Sequence, residues 1–433
     1  MPDVVIIGGG YAGLSAGALL AHQGFQVQLL EQDKSLGGRA RVEERDGYLL
    51  DYGIHSHRLG ENGPLARVFR ELGDPIRFAN PRHFTSYIFD SNRLLELPDT
   101  MAGLLSTPLL NPLEKLQFIK IILKMMLADL DRWYPEKLSA FLRLPGMTPG
   151  LEKISTLLGL TVMAENPEEA SAGEVIDIFR RAVFSRRKVG DPVGGAGQII
   201  NTLEKKISSS GIINLNTRVT GLEFASGRVM AARTDQANYP ARVFLFSAPI
   251  NGLTGLVPEN LLPPPLIEFA NKLTPTSGLS LDFGLPAPIT DIKGGIFNLD
   301  PVVIGRFPSN IDPLRAPPGK QLATWLRPIS FPVTKEKIKE AEEILRVVIE
   351  KIFPGFFNRV EWERKLVHPV MDGLSMKPGQ DFSRRPGPAI PLIPNLFLAG
   401  DTIRGHGSGG DIAFSSAISA SDIIRKYLLN SNR

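Results

Sequence analysis

The chain has 433 residues, which exceeds the size of one compact core and predicts two domains. It contains no cysteine, so disulfides, thiolate metal sites and redox-active dithiols are excluded, a cytoplasmic location is favoured, and no metal site is predicted. The formal net charge of +4 is only mildly basic and no nucleic-acid-binding pattern occurs, so we expect no nucleic-acid partner.

A βαβ unit is predicted at the start of the chain. Residues 4–7 are apolar and β-branched, which is typical of a strand buried on both faces. Residues 14–23 have a helical pattern, and residues 26–30 are predicted as a second strand that ends at Glu31. Between the first strand and the helix, the pattern G-x-G-x-x-G is formed by Gly8, Gly10 and Gly13. An ordinary tight turn can have the same glycines, but the flanking elements and Glu31 favour dinucleotide binding.

Each part of this unit has a task in binding a dinucleotide. Gly8 permits a sharp turn, Gly10 lets a pyrophosphate approach the backbone, and Gly13 lets the helix pack close to the sheet. The positive end of the helix faces the phosphates, and Glu31 is placed to accept a hydrogen bond from a ribose 2′-hydroxyl. The predicted contacts also include Ala12 in the first helical turn and Gln32 after the acid.

A second glycine loop at residues 34–40 narrows the choice of cofactor. Gly37 and Gly38 permit a backbone turn over the cofactor, and Arg39 can form paired bonds to phosphate oxygens. A plain NAD-binding domain does not need this loop. The βαβ unit followed by Leu-Gly-Gly-Arg resembles the glutathione-reductase-like FAD fold, in the branch that holds amine oxidases, protoporphyrinogen oxidases and phytoene desaturases. The resemblance implies non-covalently bound FAD.

Residues 47–55 resemble the G-x-x-x-D-x-G-x-H segment of this family, which passes near the flavin ring. The resemblance implies cofactor contacts from Gly53, Ile54 and His55. Two interpretations of His55 stay open: a structural hydrogen-bonding histidine, or a role at the flavin or the substrate.

Residues 84–130 are predicted as an excursion into a second domain. Two apolar segments flank a turn-forming cluster at residues 90–92, which predicts a β-hairpin. Residues 111–130 have apolar residues at helical spacing and predict a long helix. Its apolar face is interpreted as core packing or the wall of a lipophilic pocket, and the alternative is a surface helix that dips into a membrane. The alternative depends on leucines before the helix, lysines along it and a basic cluster after it: Leu104, Leu105, Leu109, Leu110, Lys115, Lys120, Lys124, Arg180, Arg181, Arg186, Arg187 and Lys188.

The middle of the chain is predicted to return to the cofactor domain. A Pro-x-Gly-Gly stretch at residues 192–197 resembles the family segment that brings the chain back. Residues 214–219 resemble the segment whose valine backbone meets the adenine, which implies a contact from Val219. The resemblance of residues 243–249 to the family's V-x-x-A-x-P segment implies that Ala248 lies near the cofactor. Helical residues at 151–189, strands near 277–284, 295–306 and 321–328, and a helix at 335–353 are predicted outside this domain.

The last forty residues contain a second cofactor signal. An apolar strand ends in Gly400 and Asp401, and in the family this aspartate holds the ribityl or phosphate-side hydroxyls of FAD. A helix is predicted at residues 412–428 with its N-terminus aimed at the flavin, where its partial positive charge would stabilise negative charge on the reduced ring. The predicted contacts here are Gly400, Asp401, Gly410, Asp411 and Ile412.

Taken together, these segments resemble the phytoene desaturase-like members of the FAD amine-oxidase superfamily. The predicted fold class is α/β, with a glutathione-reductase-like FAD-binding Rossmann domain and a discontinuous α+β substrate domain. The predicted boundaries are 1–80, 190–257 and 390–433 for the FAD-binding domain, and 81–189 and 258–389 for the substrate domain.

The resemblance implies an FAD-dependent, phytoene dehydrogenase-related oxidoreductase. Hydride would pass between flavin N5 and a bulky hydrophobic, isoprenoid- or carotenoid-like substrate, in a desaturase, saturase or isomerase. His55 and His406 are the candidate catalytic residues. The expected partners are a hydrophobic small molecule, an electron acceptor left open among oxygen, a quinone and NAD(P), and a membrane contacted peripherally.

Two alternative functions stay open. The first is an amine or protoporphyrinogen oxidase, for which Trp325 and Trp362 are the candidates for an aromatic cage. The second is an FAD-binding scaffold without turnover.

Overall fold

The computed structural model of the protein describes residues 1–54, 56–79, 84–98, 101–142, 148–162, 167–183 and 190–431. The predicted site residue His55, and Arg186, Arg187 and Lys188 of the basic cluster, lie outside the described residues.

The described chain forms strands and helices in the following order. The strands are β1 (Val4–Ile7), β2 (Val27–Leu30), β3 (Val42–Arg45), β4 (Tyr48–Asp51), β5 (Tyr87–Asp90), β6 (Arg93–Glu96), β7 (Ile212–Asn214), β8 (Val219–Ala225), β9 (Arg228–Thr234), β10 (Asn238–Pro240), β11 (Val243–Phe246), β12 (Ser277–Leu285), β13 (Ile296–Leu299), β14 (Val302–Arg306), β15 (Gln321–Ile329), β16 (Trp362–His368), β17 (Ala389–Ile390) and β18 (Ile393–Leu398). The helices are α1 (Tyr11–His22), α2 (Pro64–Glu71), α3 (Met101–Ser106), α4 (Pro112–Leu127), α5 (Leu130–Trp133), α6 (Leu138–Phe141), α7 (Pro149–Leu160), α8 (Ala172–Val183), α9 (Gly195–Ser208), α10 (Pro264–Asn271), α11 (Pro308–Ile311), α12 (Lys335–Ile352) and α13 (Gly410–Asn430).

A six-stranded sheet in the order β17-β18-β11-β1-β2-β7 forms the centre of the molecule. Its strands are parallel except for the short edge strand β17. β1 is buried on both faces, because Val5 and Ile7 pack into one core cluster while Val4 and Ile6 pack into another. Helices α1, α9 and α13 cover one face, as the β-branched run at the start of the sequence predicts for a strand inside an α/β layer.

A second sheet has seven strands in the order β16-β12-β15-β14-β13-β5-β6. It is antiparallel except for the pairing of β13 with β5, which joins the early hairpin to strands some 200 positions later in the chain. Helix α12 packs its apolar side against one face of this sheet. A separate small apolar cluster on this sheet includes Ile304 and Leu326 of its strands, together with Ile54 and Met371.

The structure confirms the α/β fold class. The predicted hairpin forms as β5 and β6, whose two loop residues, Ser91 and Asn92, both have the positive φ of a tight two-residue turn. The single strand predicted at 295–306 is instead the antiparallel pair β13 and β14, because residues 300 and 301 form a turn. The predicted domain boundaries stay a prediction.

Helix α4 begins as predicted but ends at Leu127, three residues earlier than expected. Asn111 and Glu114 form a capping box: each side chain accepts a hydrogen bond from the other residue's backbone N–H, at 3.0 Å and 2.7 Å. Within the described ranges, no helix combines the length and apolarity needed to cross a bilayer.

A buried ion pair joins α8 to the chain that leads into β17. Arg385 and Glu174 are 0% and 1% exposed, and the Arg385 guanidinium also donates a hydrogen bond to the backbone oxygen of Gly405 at 3.0 Å. Burial lowers the pKa of Arg385 to about 10. The pair therefore anchors the loop before α13, and neither charge has water to compensate for the loss of its partner.

We expect Arg385→Met to destabilise the fold by roughly 3–5 kcal/mol, because the Glu174 carboxylate would stay buried without a partner. Urea unfolding measures the effect. The matched control is the double variant Glu174→Leu with Arg385→Met, which removes both charges and should recover most of the loss. Equal losses in the single and double variants would mean that packing, and not the ion pair, stabilises this region.

Candidate cofactor and active site

A cavity of about 990 Å³ lies at the edge of the first sheet where β1, β2, β11 and β18 end. The carboxyl ends of parallel strands meet at one edge, and this edge is where open α/β sheets bind ligands. The segments that follow these four strands line the cavity: residues 8–12, 31–33, 247–249 and 400–401.

In the first glycine loop, Gly10 faces open space, whereas Gly13 is tightly packed against the backbone. Gly8 turns with φ of +108°, and the Ser247 hydroxyl donates to its backbone oxygen at 2.8 Å. A Cβ on Gly13 would overlap the Gly8 backbone oxygen, so this glycine lets α1 pack close to β1 and does not line the cavity. A Cβ on Gly10 would meet no atom within 4 Å. The space in front of Gly10 is therefore free for a ligand.

Glu31 is fixed at one end of the cavity. Its carboxylate is 6% exposed and accepts hydrogen bonds from the backbone N–H groups of Gly9, at 2.6 Å, and Asp33, at 2.8 Å. A carboxylate has about four lone-pair positions, so acceptor capacity remains for a hydroxyl in the cavity.

The second glycine loop lies across the first. Gly37 and Gly38 have φ of +102° and +55°, the left-handed conformations that the predicted turn requires. The Gly37 N–H donates to the Gly9 backbone oxygen at 2.8 Å, and a Cβ on Gly38 would lie 3.5 Å from the Gly10 Cα. The two loops thus form one backbone wall of the cavity.

An ion pair joins the two ends of the chain in the middle of the cavity. Arg39 and Asp401 lie 2.8 Å apart, and both line the cavity. The Ser416 hydroxyl on α13 fixes Gly400, since it accepts from the Gly400 N–H and donates to the Gly400 oxygen, each at 2.9 Å. The Arg39 guanidinium has more N–H donors than this one ion pair uses, which suits it to bind phosphate.

The N-terminus of α13 forms the other end of the cavity, where Gly409, Gly410 and Ala413 line the wall. Asp411 points away from the cavity and lies 3.4 Å from the His57 imidazole, with both side chains buried. A Cβ on Gly410 would lie 3.7 Å from His57 Cε1. His57, which the sequence analysis did not select, therefore supports the start of this helix.

A further wall, residues 366–372, was missed by the sequence analysis. His368 is hydrogen-bonded to the Ser280 hydroxyl at 2.8 Å and lies against Gly53, where a Cβ would be 3.5 Å from the ring. The Asp372 carboxylate lies against Gly409, close enough to leave no room for a side chain there. The sequence does show a strand that ends in His368 and Pro369. Unlike the glycine loops, however, this pattern is not specific for a cofactor site.

Asp372 has a perturbed acidity. Burial raises its pKa to about 6, against the opposing effect of Arg58 and Arg39, while Asp401 and Asp411 raise it further. The carboxyl therefore changes charge near neutral pH at the end of the cavity beside α13.

The structure brings most of the predicted site residues to this cavity. Those that line it are Gly8, Gly10, Ala12, Glu31, Gln32, Gly38, Arg39, Val219, Ala248, Gly400, Asp401 and Gly410. Those that are described but do not line it are Gly13, Gly53, Ile54, His406, Asp411 and Ile412. Their individual cofactor contacts stay predictions.

The structure does not bring His406 to the cavity. Its imidazole is 38% exposed, lies 3.0 Å from Asp177 and stacks on Phe382 with ring centres 4.5 Å apart. The loop between Asp401 and α13 turns this side chain away from the cavity. His406 is therefore close to α13 in the sequence but does not lie beside the cofactor site.

The cavity fits FAD. The Glu31 carboxylate lies at one end of the cavity, and the open backbone at Gly10 lies with Arg39 in its middle. The positive end of the 21-residue helix α13 lies at the other end. These groups match a ribose hydroxyl, a pyrophosphate and a ring that gains negative charge on reduction.

Comparison with known proteins agrees with this site. The family model described as flavin containing amine oxidoreductase matches residues 11–425. The 4,4′-diapolycopen-4-al dehydrogenase of Metabacillus indicus is 22% identical over 92% of this chain and 88% of its own length. Polyamine oxidase 2 of Arabidopsis thaliana is 38% identical over 76 residues, 17% of this chain and only 16% of that protein. An oxidoreductase from Methanosarcina mazei has the same fold, with a TM-score of 0.80 and 19% identity over 97% of this chain and 100% of that one.

The chain belongs to the flavin containing amine oxidoreductase family. Its cofactor is FAD, and it is an oxidoreductase.

We expect Gly10→Ala to raise the dissociation constant of FAD at least ~10-fold while leaving the fold intact, because the methyl group would fill the space for the pyrophosphate and touch no protein atom. Flavin fluorescence during titration of the FAD-free protein measures the affinity. The matched control is Gly197→Ala on α9, outside the cavity, whose Cβ would approach no atom closer than 3.7 Å. Equal FAD affinity in both variants would contradict the placement of the phosphates.

We expect the stability of Asp372→Asn relative to the wild type, both without FAD, to be greater above pH 6 than at pH 4. The folded pKa of Asp372 is raised, so the wild type loses stability as pH rises from about 4 to about 6, whereas asparagine does not titrate. The difference in unfolding free energy between variant and wild type should grow over this window by roughly 1–2 kcal/mol. Urea unfolding at pH 4, 6 and 8 tests this. A constant difference would show that Asp372 has an ordinary acidity.

Proposed function

We propose that this oxidoreductase transfers hydride between flavin N5 and a carbon of a bulky apolar substrate of the isoprenoid class. Desaturation breaks two C–H bonds: hydride passes to the flavin, a proton leaves the neighbouring carbon, and a C=C bond forms. Saturation is the reverse. Turnover also needs an external electron acceptor or donor, which we take to be oxygen, a quinone or NAD(P).

The observation that carries this proposal is an apolar face that adjoins the cavity, where Arg58 and Arg327 reach the backbone oxygens of Leu160 and Val302. Buried Leu160, Ile304 and Leu326 form its base. Partly buried apolar side chains pack on that base: Ile54, Phe297, Leu299, Val302 and Met371. Met371 also lines the cavity, so the face adjoins the cofactor site. Such a face favours an apolar substrate, since a polar one would lose its water without gaining hydrogen bonds.

The tryptophans give no support to an aromatic amine cage. Trp325 is 0% exposed inside the second sheet, and Trp362 packs edge-on against Tyr48 with ring centres 4.9 Å apart. Neither lines the cavity. The relative named 4,4′-diapolycopen-4-al dehydrogenase also supports an isoprenoid substrate over an amine.

The chain's own residues would position and polarise the reaction. Bound FAD supplies the hydride-transfer chemistry. The N-terminus of α13, at Gly409 and Gly410, provides partial positive charge at the ring end of the cavity. Asp372 can hold or release a proton there, and the apolar face excludes water from the reacting carbon.

The test is an anaerobic screen that follows the flavin absorbance of the FAD-loaded protein. Saturated isoprenoids should bleach the oxidised flavin, or conjugated polyenes should reoxidise the photoreduced flavin, while amines and porphyrinogens do neither. Phe297→Asp, which puts a charge on the apolar face, should slow the reaction at least ~10-fold, since a charge without a partner in apolar surroundings is strongly unfavourable. The matched control is Val347→Asp on the exposed side of α12, which is 53% exposed and should change nothing.

The unchanged spectrum of bound FAD shows that each variant is folded. Bleaching by amines or porphyrinogens, but not by isoprenoids, would contradict the proposal and favour the corresponding oxidase. Tightly bound FAD that reacts with no substrate class would favour a scaffold without turnover.

A further inference from the structure

Helix α4 has a second apolar face that the fold does not use. Its inner face is anchored by Ile121 and Met125, which are buried in the main core. Its outer face has residues spaced by three and four positions, so that they form one stripe along the helix: Leu113, Leu116, Lys120, Leu123 and Leu127. The four leucines of this stripe are between 51% and 86% exposed. Exposure of four leucines on one stripe, with a single lysine at its centre, marks an interaction surface.

The stripe continues onto the neighbouring helix α3. Lys115 donates to the backbone oxygen of Leu105 at 2.6 Å, which holds the end of α3 against the first turns of α4. Leu105 is itself 60% exposed. We call Leu105, Leu113, Leu116, Leu123 and Leu127 the leucine ridge.

The surface charges of α3 and α4, which carry the leucine ridge, have one sign, and the exposed Asp129 follows α4 as the N-cap of α5. Between residues 101 and 128, the charged residues are Glu114, Lys115, Lys120 and Lys124. Glu114 is buried, where it caps α4 and is bonded to the Thr148 hydroxyl. The charges left at the surface of this segment are therefore lysines, which complement an anionic partner.

Two arginines that the sequence analysis added to this surface, Arg180 and Arg181, are bonded to other parts of the chain. Arg180 donates to the backbone oxygens of Met125, at 2.8 Å, and Ala128, at the end of α4. Arg181 pairs with Asp177 at 3.0 Å. Lys115 and Lys124 also donate to backbone oxygens, those of Leu105 and Phe141, so the basic character of the surface depends mainly on Lys120.

A second copy of the chain is a poor occupant of the leucine ridge. Two copies of α4 related by a two-fold axis make the longest contact when they run antiparallel and the axis passes through the centre of the stripe. The central position is Lys120, so the two lysines would face each other in an apolar interface. A bilayer has no such conflict, because the lysine stem can lie along the apolar surface while its ammonium group reaches the lipid phosphates.

We propose that the leucine ridge lies in the headgroup region of an anionic membrane, with α4 parallel to the membrane plane. Its leucines would enter the upper acyl layer, and Lys120 would meet the phosphates. Helix α4 is about 24 Å long, which suits a helix that lies on a bilayer. This inference does not depend on the proposed reaction.

Flotation of the FAD-loaded protein with vesicles tests the proposal, using phosphatidylcholine alone or with 30% phosphatidylglycerol. We expect the wild type to float with the anionic vesicles. Leu116→Asp with Leu123→Asp should lower the partition coefficient at least ~10-fold. Lys120→Gln should lower it about fivefold on anionic vesicles and leave it unchanged on neutral ones. The matched control, Leu314→Asp with Leu392→Asp, changes leucines that are 61% and 53% exposed elsewhere and should float like the wild type.

Retention of the FAD spectrum shows that each variant is folded, and size-exclusion chromatography of all variants completes the test. Wild-type protein that does not float with anionic vesicles, or a ridge variant that floats as well as the control, would overturn the proposal. A dimer that the ridge variant alone dissociates would also overturn it and assign the ridge to a second copy.

Discussion

The parallel alignment of β1, β11 and β18 is the constraint on which the site depends. It brings the residues after these strands, Gly8, Ser247 and Gly400, to one edge of the sheet although they are almost 400 positions apart in the chain. Ser247 then bonds to Gly8, and Arg39 pairs with Asp401, so that the early and late segments form one cavity. Every group that fits FAD is fixed to this edge or to the helices that begin there.

The cofactor half of the site could be predicted from the sequence because its tasks restrict single residues. A pyrophosphate needs a glycine with open space in front of its Cα, as at Gly10. A helix that packs closely on the strand needs Gly13, and a ribose hydroxyl needs an acidic residue after the second strand. These requirements leave short, regular patterns next to strands and helices. The start of α13 could be predicted for the same reason, although the structure extends the helix two residues towards the cavity.

The remaining features depend on long-range packing and leave no such pattern. Residues 366–372 reach the cavity because β16 pairs with β12, and a sequence alone does not give that register. For the same reason, the sequence could not show which histidine lies near the start of α13. Packing places His57 beside Gly410, whereas His406 stacks on Phe382 away from the cavity. Membrane contact stays a prediction: of the residues on which it was based, Lys120 is exposed on α4, whereas Arg180 and Arg181 bind other parts of the chain.

The central claim is that the two ends of the chain hold the two ends of one FAD molecule. Calorimetric titration of the FAD-free protein with FAD, FMN and ADP tests it most directly. If both halves of the cavity bind, FAD should bind with a 1:1 stoichiometry and at least ~100-fold more tightly than either fragment. FMN or ADP binding as tightly as FAD would contradict the account, because one half of the cavity would then contribute nothing.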